Sequence, residues 1–366
     1  NYLNAICAIL HQEGEIAEVV SEFEYEKARQ LGIEGKDIIF NGPYKPLPIL
    51  EKAVKAGAII NIDHFEEIYD LEEIANKLGQ KIKVGIRLNM DTGITPQWSR
   101  FGFNLEMGQA LDAVKRIAYG ENLIINGLHC HIGTFILEPR AYAQEVEKMI
   151  QFAYQIEDEF GFKIEYLDIG GGFPSKNRLK GVYLPPEVAI PSIEEFAEAI
   201  CDTLLRCLRP NNFPKLILEV GRAIVDESGY LVSTIHASKR LPDGKRCYVI
   251  DVGINILFTA FWYKFNIEID REIQGAPEPC IIYGPLCMNI DIIDEHTYLP
   301  PLPRGTRLII SPVGAYNVTQ WMQFITYRPP VVLINMEGKV ELIREKEQLE
   351  DIIQKERLLE RLKLAP

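Results

Sequence analysis

The chain has 366 residues, 47% of them hydrophobic and 25% charged, the profile of a soluble globular protein of one large domain or two. Its 39 Lys and Arg stand against 52 Asp and Glu, a net charge of −13 without long runs of one sign, which argues against nucleic acid or an anionic membrane surface as partner. No stretch of ~18 apolar residues occurs, which excludes a membrane-spanning helix; seven cysteines at irregular spacing argue against a disulfide scaffold and for a reducing cytoplasmic setting.

The chain opens at Asn1 with a helical pattern, Tyr2–His11, in which Leu3, Ile6 and Leu10 share a side. Seven short, mostly apolar runs follow: Ile16–Val20, Asp37–Phe40, Ala58–Ile62, Lys83–Leu88, Ile124–Ile132, Ile164–Ile169 and Lys215–Glu219. They read as strands of a parallel sheet buried on both faces. Between them lie helical patterns such as Phe65–Leu78, Ala141–Asp158 and Ile193–Leu208, the last opened by a capping box of Ser192 and Glu195. Alternation of this kind means an open doubly wound sheet or a barrel. Counting chooses the barrel: an opening helix needs a strand before it, and one strand upstream of Asn1 would make eight. We therefore expect an α/β fold, a (β/α)8 TIM barrel over residues 1–222 whose first strand precedes Asn1.

After about Ala223 the rhythm changes. Runs at Tyr230–His236, Arg246–Asp251, Cys280–Tyr283, Arg307–Ser311 and Val331–Asn335 follow one another, with hairpin turns expected at Asp243-Gly244 and Glu337-Gly338. A β-rich C-terminal domain is expected over residues 223–366. It should close on a charged surface helix, Glu345–Leu364, with Leu349, Ile352, Ile353, Leu359 and Leu362 as its apolar side.

Barrel enzymes gather their chemistry at the C-terminal ends of the strands. Three of these ends stand out: His129-Cys130-His131-Ile132-Gly133-Thr134, Asp168-Ile169-Gly170-Gly171-Gly172-Phe173 and Glu219-Val220-Gly221-Arg222. Consecutive glycines let backbone N–H groups approach an anion, and a neighbouring Gly-Arg suits a phosphate; a plain tight turn is the other reading. His129 and His131 share one side of a strand, with Cys130 on the other. The remaining histidines offer no metal-like spacing. His129 reads as a satisfied core histidine, and His131, nearer the rim, as a ring able to stack on a cofactor. Glu219 is ill placed for a core and could hold a protonated nitrogen.

Together these motifs resemble the fold-type III pyridoxal-phosphate (PLP) decarboxylases, the group of the diaminopimelate and ornithine decarboxylases. Further echoes are Glu18-Val19-Val20-Ser21, Ile39-Phe40-Asn41-Gly42, Arg87-Leu88-Asn89, Arg100-Phe101-Gly102, Gly284-Pro285-Leu286-Cys287, Gly314-Ala315-Tyr316 and Leu342–Ile353, over nearly the whole chain. The resemblance implies that His131 stacks on the pyridine ring and that Glu219 pairs with the ring nitrogen. It further implies that Gly171, Gly172, Gly221, Arg222 and Tyr316, with Thr134 in place of the usual Ser, cradle the phosphate. Cys287 is similar to the cysteine that a partner subunit supplies to return a proton after CO2 leaves, so a homodimer is implied; without that context Cys287 reads equally as core. The lysine that carries PLP in this family sits in a Lys-x-Asn setting, and Asn1 resembles that Asn, which places the lysine two residues before Asn1.

The resemblance also marks the substrate positions. Where the family has an acid after the cysteine, this chain has Met288; where the diaminopimelate enzymes have an arginine, it has Thr259. Asp291 remains as a group able to meet an amine. These departures match neither familiar substrate fully and leave the amino acid open, a different or modified one, borne on a carrier molecule, being among the options. A non-catalytic homologue that binds a partner protein and a PLP-dependent racemase are the alternatives to an amino-acid decarboxylase; retention of Glu219, His131, the glycines and Cys287 favours the decarboxylase.

Overall fold

In the computed structural model, which describes residues 1–363, the chain divides into two compact units, one of Ala8–Gly229 and one of Asn1–Cys7 together with the chain from Tyr230 on. Helix α1 (Asn4–Gln12) opens the chain. The first unit then runs β1 (Ala17–Val19), α2 (Glu22–Gln30), β2 (Ile38–Phe40), α3 (Leu47–Lys55), β3 (Ile59–Ile62), α4 (Phe65–Leu78) and β4 (Ile82–Asn89). It continues through a two-residue β5 (Phe103–Asn104), α5 (Gln109–Tyr119), β6 (Leu123–Cys130), α6 (Arg140–Phe160), β7 (Tyr166–Asp168), α7 (Pro186–Ala189), α8 (Ile193–Cys207), β8 (Lys215–Ile217) and α9 (Arg222–Val225).

All seven expected strands form and pair in parallel in the order β1-β2-β3-β4-β6-β7-β8, with β5 beside β4. The result is a curled parallel sheet, a half-barrel; β1 and β8 do not pair among the described residues. Ile38, Phe40, Ile60, Ile62, Ile86 and Leu128 are buried against the helices, whose apolar stripes include Leu50, Leu71, Ala113 and Val146. The capping box that opens α8 is present: Ser192 Oγ accepts from the Glu195 amide and Glu195 Oε2 from the Ser192 amide.

On the concave side, Tyr166 from β7 lies across the sheet. A Cβ on Gly127 would fall 1.9 Å from its ring and one on Gly85 2.1 Å from its hydroxyl, so both strands need glycine there. Tyr166 packs with Ile39 and Ile217, and this layer is the floor on which the strand-end residues stand.

The second unit is β-rich, as expected. Strands β9 (Leu231–Arg240), β10 (Arg246–Ile250), β11 (Asn266–Ile269), β12 (Glu278–Tyr283), β13 (Ile292–Leu299) and β14 (Arg307–Ser311) form a sheet in the order β11-β14-β9-β10-β12-β13. A hairpin of β15 (Val331–Ile334) and β16 (Val340–Arg344) follows. Both expected turns hold, Gly244 and Gly338 taking φ of 85° and 79°. Strands β11, β13 and β16 went unread because β11 and β16 span only four and five residues and a run of four polar residues, Asp-Glu-His-Thr, interrupts β13.

The long terminal helix is a misreading. The segment holds only α10 (Leu349–Ile353) and a 3₁₀ turn at Glu360–Leu362, and Leu364 lies outside the described residues. Glu347 is spent on the Arg328 backbone N–H and guanidinium, which keeps the chain extended before Gln348 caps the short helix. Leu349, Leu359 and Leu362 are all about half exposed at 49%, 50% and 52%, so no apolar face exists to stabilise a longer one.

Candidate active site

Register explains how the strand ends converge. Arg87 of β4 pairs with His129 of β6, and His129 with Asp168 of β7, so the three side chains stand in one row above Tyr166. A hydrogen-bond chain climbs from the floor to the next strand end: Tyr166 Oη donates to Asn61 Oδ1 (2.7 Å), and Asn61 Nδ2 to Asn41 Oδ1 (2.8 Å). Asn41 Nδ2 then donates to both Glu219 Oε1 and Glu18 Oε1. His129 Nε2 lies 3.4 Å from Glu219 Oε1, and ligand atoms of His129, Asp168 and Glu219 lie within 4.8 Å of one another.

Three carboxyls so close, that of Asp168 buried, that of Glu219 partly so and that of Glu18 on a residue more open to solvent, cannot all ionise. Burial, then the charge of Glu219, pushes Glu18 and Asp168 well above the usual carboxyl range. Burial works in the same direction on Glu219, but His129, His131 and Arg87 outweigh it and hold that carboxyl below its ordinary value. The cluster therefore keeps one charge, and it resides on Glu219. Both histidines are held down by burial, His131 to about 4, so its imidazole is neutral at pH 7. His131 Nδ1 accepts from the Gly133 amide at 3.4 Å, and its ring stacks on Trp98.

The glycine run is shaped by close approach. Gly170 and Gly172 have φ of 65° and 95°, and a Cβ at Gly171 would meet the Glu219 carbonyl oxygen at 2.5 Å. Gly172 is pinned by Ile136, whose amide donates to its carbonyl, and Gly171 by the Tyr142 hydroxyl. Gly221 differs, since a Cβ there would touch no atom within 4 Å; the protein leaves that backbone open. The adjacent Arg222 guanidinium lies over Phe135 (5.6 Å) and 3.8 Å from Asp226. Thr134 lines a pocket of about 460 Å³ with Ile94, Trp98 and Phe135.

In the β-rich unit, Tyr316 is exposed and left-handed (φ 62°) at the Gly-Ala-Tyr turn, and Cys287 and Met288 are exposed in the loop after β12. Two expected substrate residues are spent elsewhere. Asp291, expected to meet an amine, is buried with Oδ1 on the Ile254 amide (2.8 Å) and Oδ2 on the Leu286 amide (2.7 Å). It fits only because Gly253 and Gly284 lack a Cβ, which would come within 2.8 and 2.3 Å of its oxygens. Thr259 is also buried, and its hydroxyl donates to Asn317 Oδ1 (2.9 Å).

Lys45, Glu18, Arg87, Asn41, Asp168 and Trp98 were not among the expected site residues, although the motifs around Glu18, Asn41, Arg87 and Asp168 were recognised. Lys45 is wholly engaged: its Nζ meets Glu67 Oε1 at 2.7 Å, Gly42 O at 2.9 Å and Asn61 O at 3.0 Å.

An ionised carboxylate short of a full cation, a neutral stacking imidazole and an open Gly-Arg backbone form a donor set that fits a phosphorylated pyridine. Comparison with known proteins agrees. Residues 1–226 match the family model of the pyridoxal-dependent decarboxylases, pyridoxal binding domain. The chain is 30% identical to diaminopimelate decarboxylase of Methanocaldococcus jannaschii over 96% of its own length and 81% of that protein's. It is also 30% identical to that of Aquifex aeolicus, over 97% and 83%. The crystal structure of the M. jannaschii enzyme superposes with a TM-score of 0.89 at 29% identity, covering 99% of this chain and 84% of that one. A Helicobacter pylori diaminopimelate decarboxylase complexed with L-lysine gives 0.85 at 26%, covering 97% and 87%. No helix among the described residues is long and apolar enough to cross a membrane. The chain belongs to the pyridoxal-dependent decarboxylases and is an amino-acid carboxy-lyase whose cofactor is pyridoxal phosphate.

Proposed function

We propose that this decarboxylase acts on an amino acid whose far end carries no charge, free or borne on a carrier molecule, rather than on diaminopimelate, the substrate in its relatives' names. The inward commitment of Thr259 and Asp291 carries this reading: neither the position of the family's arginine nor the surviving acid offers a free ionic group. Met288 supplies only an apolar side chain. A charged substrate terminus would find no free ionic partner at any of these three positions.

When bound, pyridoxal phosphate supplies the electron sink that makes loss of carbon dioxide possible. Glu219, ionised within its cluster, holds the proton on the pyridine nitrogen, and His131 stacks on the ring as a neutral imidazole. Gly171, Gly172, Gly221, Thr134 and Arg222 are assigned to the phosphate, with Tyr316 from the β-rich unit. Cys287 is assigned to proton return, in a homodimer as in the family pattern. The exposure of Cys287 and the open backbone at Gly221 support these assignments.

The test is carbon dioxide release from a panel comprising diaminopimelate, lysine, ornithine, arginine, glutamine, phenylalanine and thioester-linked glutamate. Release is expected from a member whose far end is neutral or masked. Diaminopimelate turned over faster than every neutral member would overturn the reading.

A further inference from the structure

We propose that Trp98 is a positioning residue: it backs one face of the His131 imidazole and fixes the plane that the opposite face offers to the cofactor, a role that rests on the reading of His131 above. The two rings lie with centroids 5.3 Å apart and planes 10° from parallel, an offset stack. Trp98 is the one ring stacked on His131 among the described residues. In its own plane the imidazole is restrained by the 3.4 Å contact of Nδ1 with the Gly133 amide, which leaves rotation of the ring face to be set by packing.

Trp98 can set it because its loop is tied on both sides. Gln97 Nε2 donates to Asn89 Oδ1 (2.9 Å), and Asn89 Nδ2 donates to the carbonyls of Phe101 (2.7 Å) and Gly102 (3.1 Å). The Gly102 amide donates to Asp63 Oδ1 at 3.2 Å. Phe101, 6.1 Å from the indole, is in turn covered by the Arg87 guanidinium at 4.6 Å. The stack thus joins the end of β4 to the end of β6 above the carboxyl cluster. Neutral imidazole suits an aromatic partner on each face, and burial keeps His131 in that form. Trp98 is itself 36% exposed and borders the 460 Å³ pocket, so truncating it removes the stack without hollowing a sealed core.

The test is spectrophotometric titration of the full chain with pyridoxal phosphate for wild type, Trp98→Ala, Trp98→Phe, His131→Ala and the Trp98→Ala/His131→Ala pair. Melting of each cofactor-free protein checks its fold. Trp98→Ala is expected to weaken cofactor binding about 3–10-fold, the reach of one stacked pair. Trp98→Phe should stay within about 2-fold of wild type, and Trp98→Ala should add nothing once His131 is gone. Binding by Trp98→Ala as tight as wild type or tighter, or an equal loss in the His131→Ala background, would overturn the role of Trp98 alone. Absence of saturable binding in the wild type would overturn the cofactor reading of His131 and this proposal with it.

Discussion

Strand β6 carries ionisable groups on both faces, and the two faces handle burial differently. Inward, His129 meets Glu219, Asp168 and Arg87 across three strands, and mutual electrostatics keep one carboxylate ionised while its neighbours hold their protons. Outward, Cys130 meets Glu145 from α6, and no N–H or O–H reaches either carboxyl oxygen. Burial raises both groups well above their ordinary values, so this face stays neutral. A buried charge persists where a network shares it, and that network stands where a cationic ring nitrogen can be met. On the far side of the same strand, 1% exposed Cys130 and 0% exposed Glu145 have no such use for a charge.

A third buried pair calibrates the contrast. Lys45 and Glu67 are fully satisfied by each other and by backbone. Lys45→Met should cost about 3–5 kcal/mol in urea unfolding, because it strands a buried carboxylate, and Lys45→Met/Glu67→Leu should recover most of that. A loss below about 1 kcal/mol would show that pairing is not what sustains charge in this interior. Inside the cluster the expected penalty falls on chemistry. Glu219→Gln should lower carbon dioxide release on the order of 10²-fold, as loss of one preorganised electrostatic partner does. Its melting temperature should fall modestly, since a carboxyl held below its ordinary value in the fold contributes stability at neutral pH that Gln lacks. Activity within about 3-fold of wild type would erase the distinction between the two faces.

The inward face was partly legible in the sequence. Two-sided burial of parallel strands writes itself as apolar runs, so the strand ends that place His131, Gly171, Gly172, Glu219 and Arg222 could be located by counting. The row of Arg87, His129 and Asp168 could not, because it exists only through the pairing of β4 with β6 and of β6 with β7. His129 in particular looked like an ordinary core histidine, yet neither of its buried nitrogens finds a hydrogen-bond partner among the described residues, and Nε2 faces Glu219 Oε1 at 3.4 Å. Asp291 and Thr259 misled for the opposite reason: their chemistry suits a ligand, but two glycines and one asparagine turn them inward. Glu145 was hidden by its company, since one acid in the run Gln-Glu-Val-Glu-Lys reads as helix surface.

That outward carboxyl gives the finest test of the comparison. In the folded protein burial keeps the proton on Glu145, whereas in the unfolded chain it leaves near pH 4.3, about the ordinary value for Glu. Above that pH the native state therefore holds one proton more than the unfolded state from this group. By linkage its contribution makes stability fall as pH rises, by up to about 1.4 kcal/mol per unit, until the native carboxyl itself ionises. Glutamine has the same shape and no proton to lose. Glu145→Gln should match wild type near pH 4 and become progressively more stable than wild type as pH rises, by up to about 1.4 kcal/mol per unit. Urea unfolding at pH 5, 6.5 and 8 would show the divergence. A variant less stable than wild type at pH 8 would mean that Glu145 is ionised and partnered there, and the two faces of β6 would then handle burial alike.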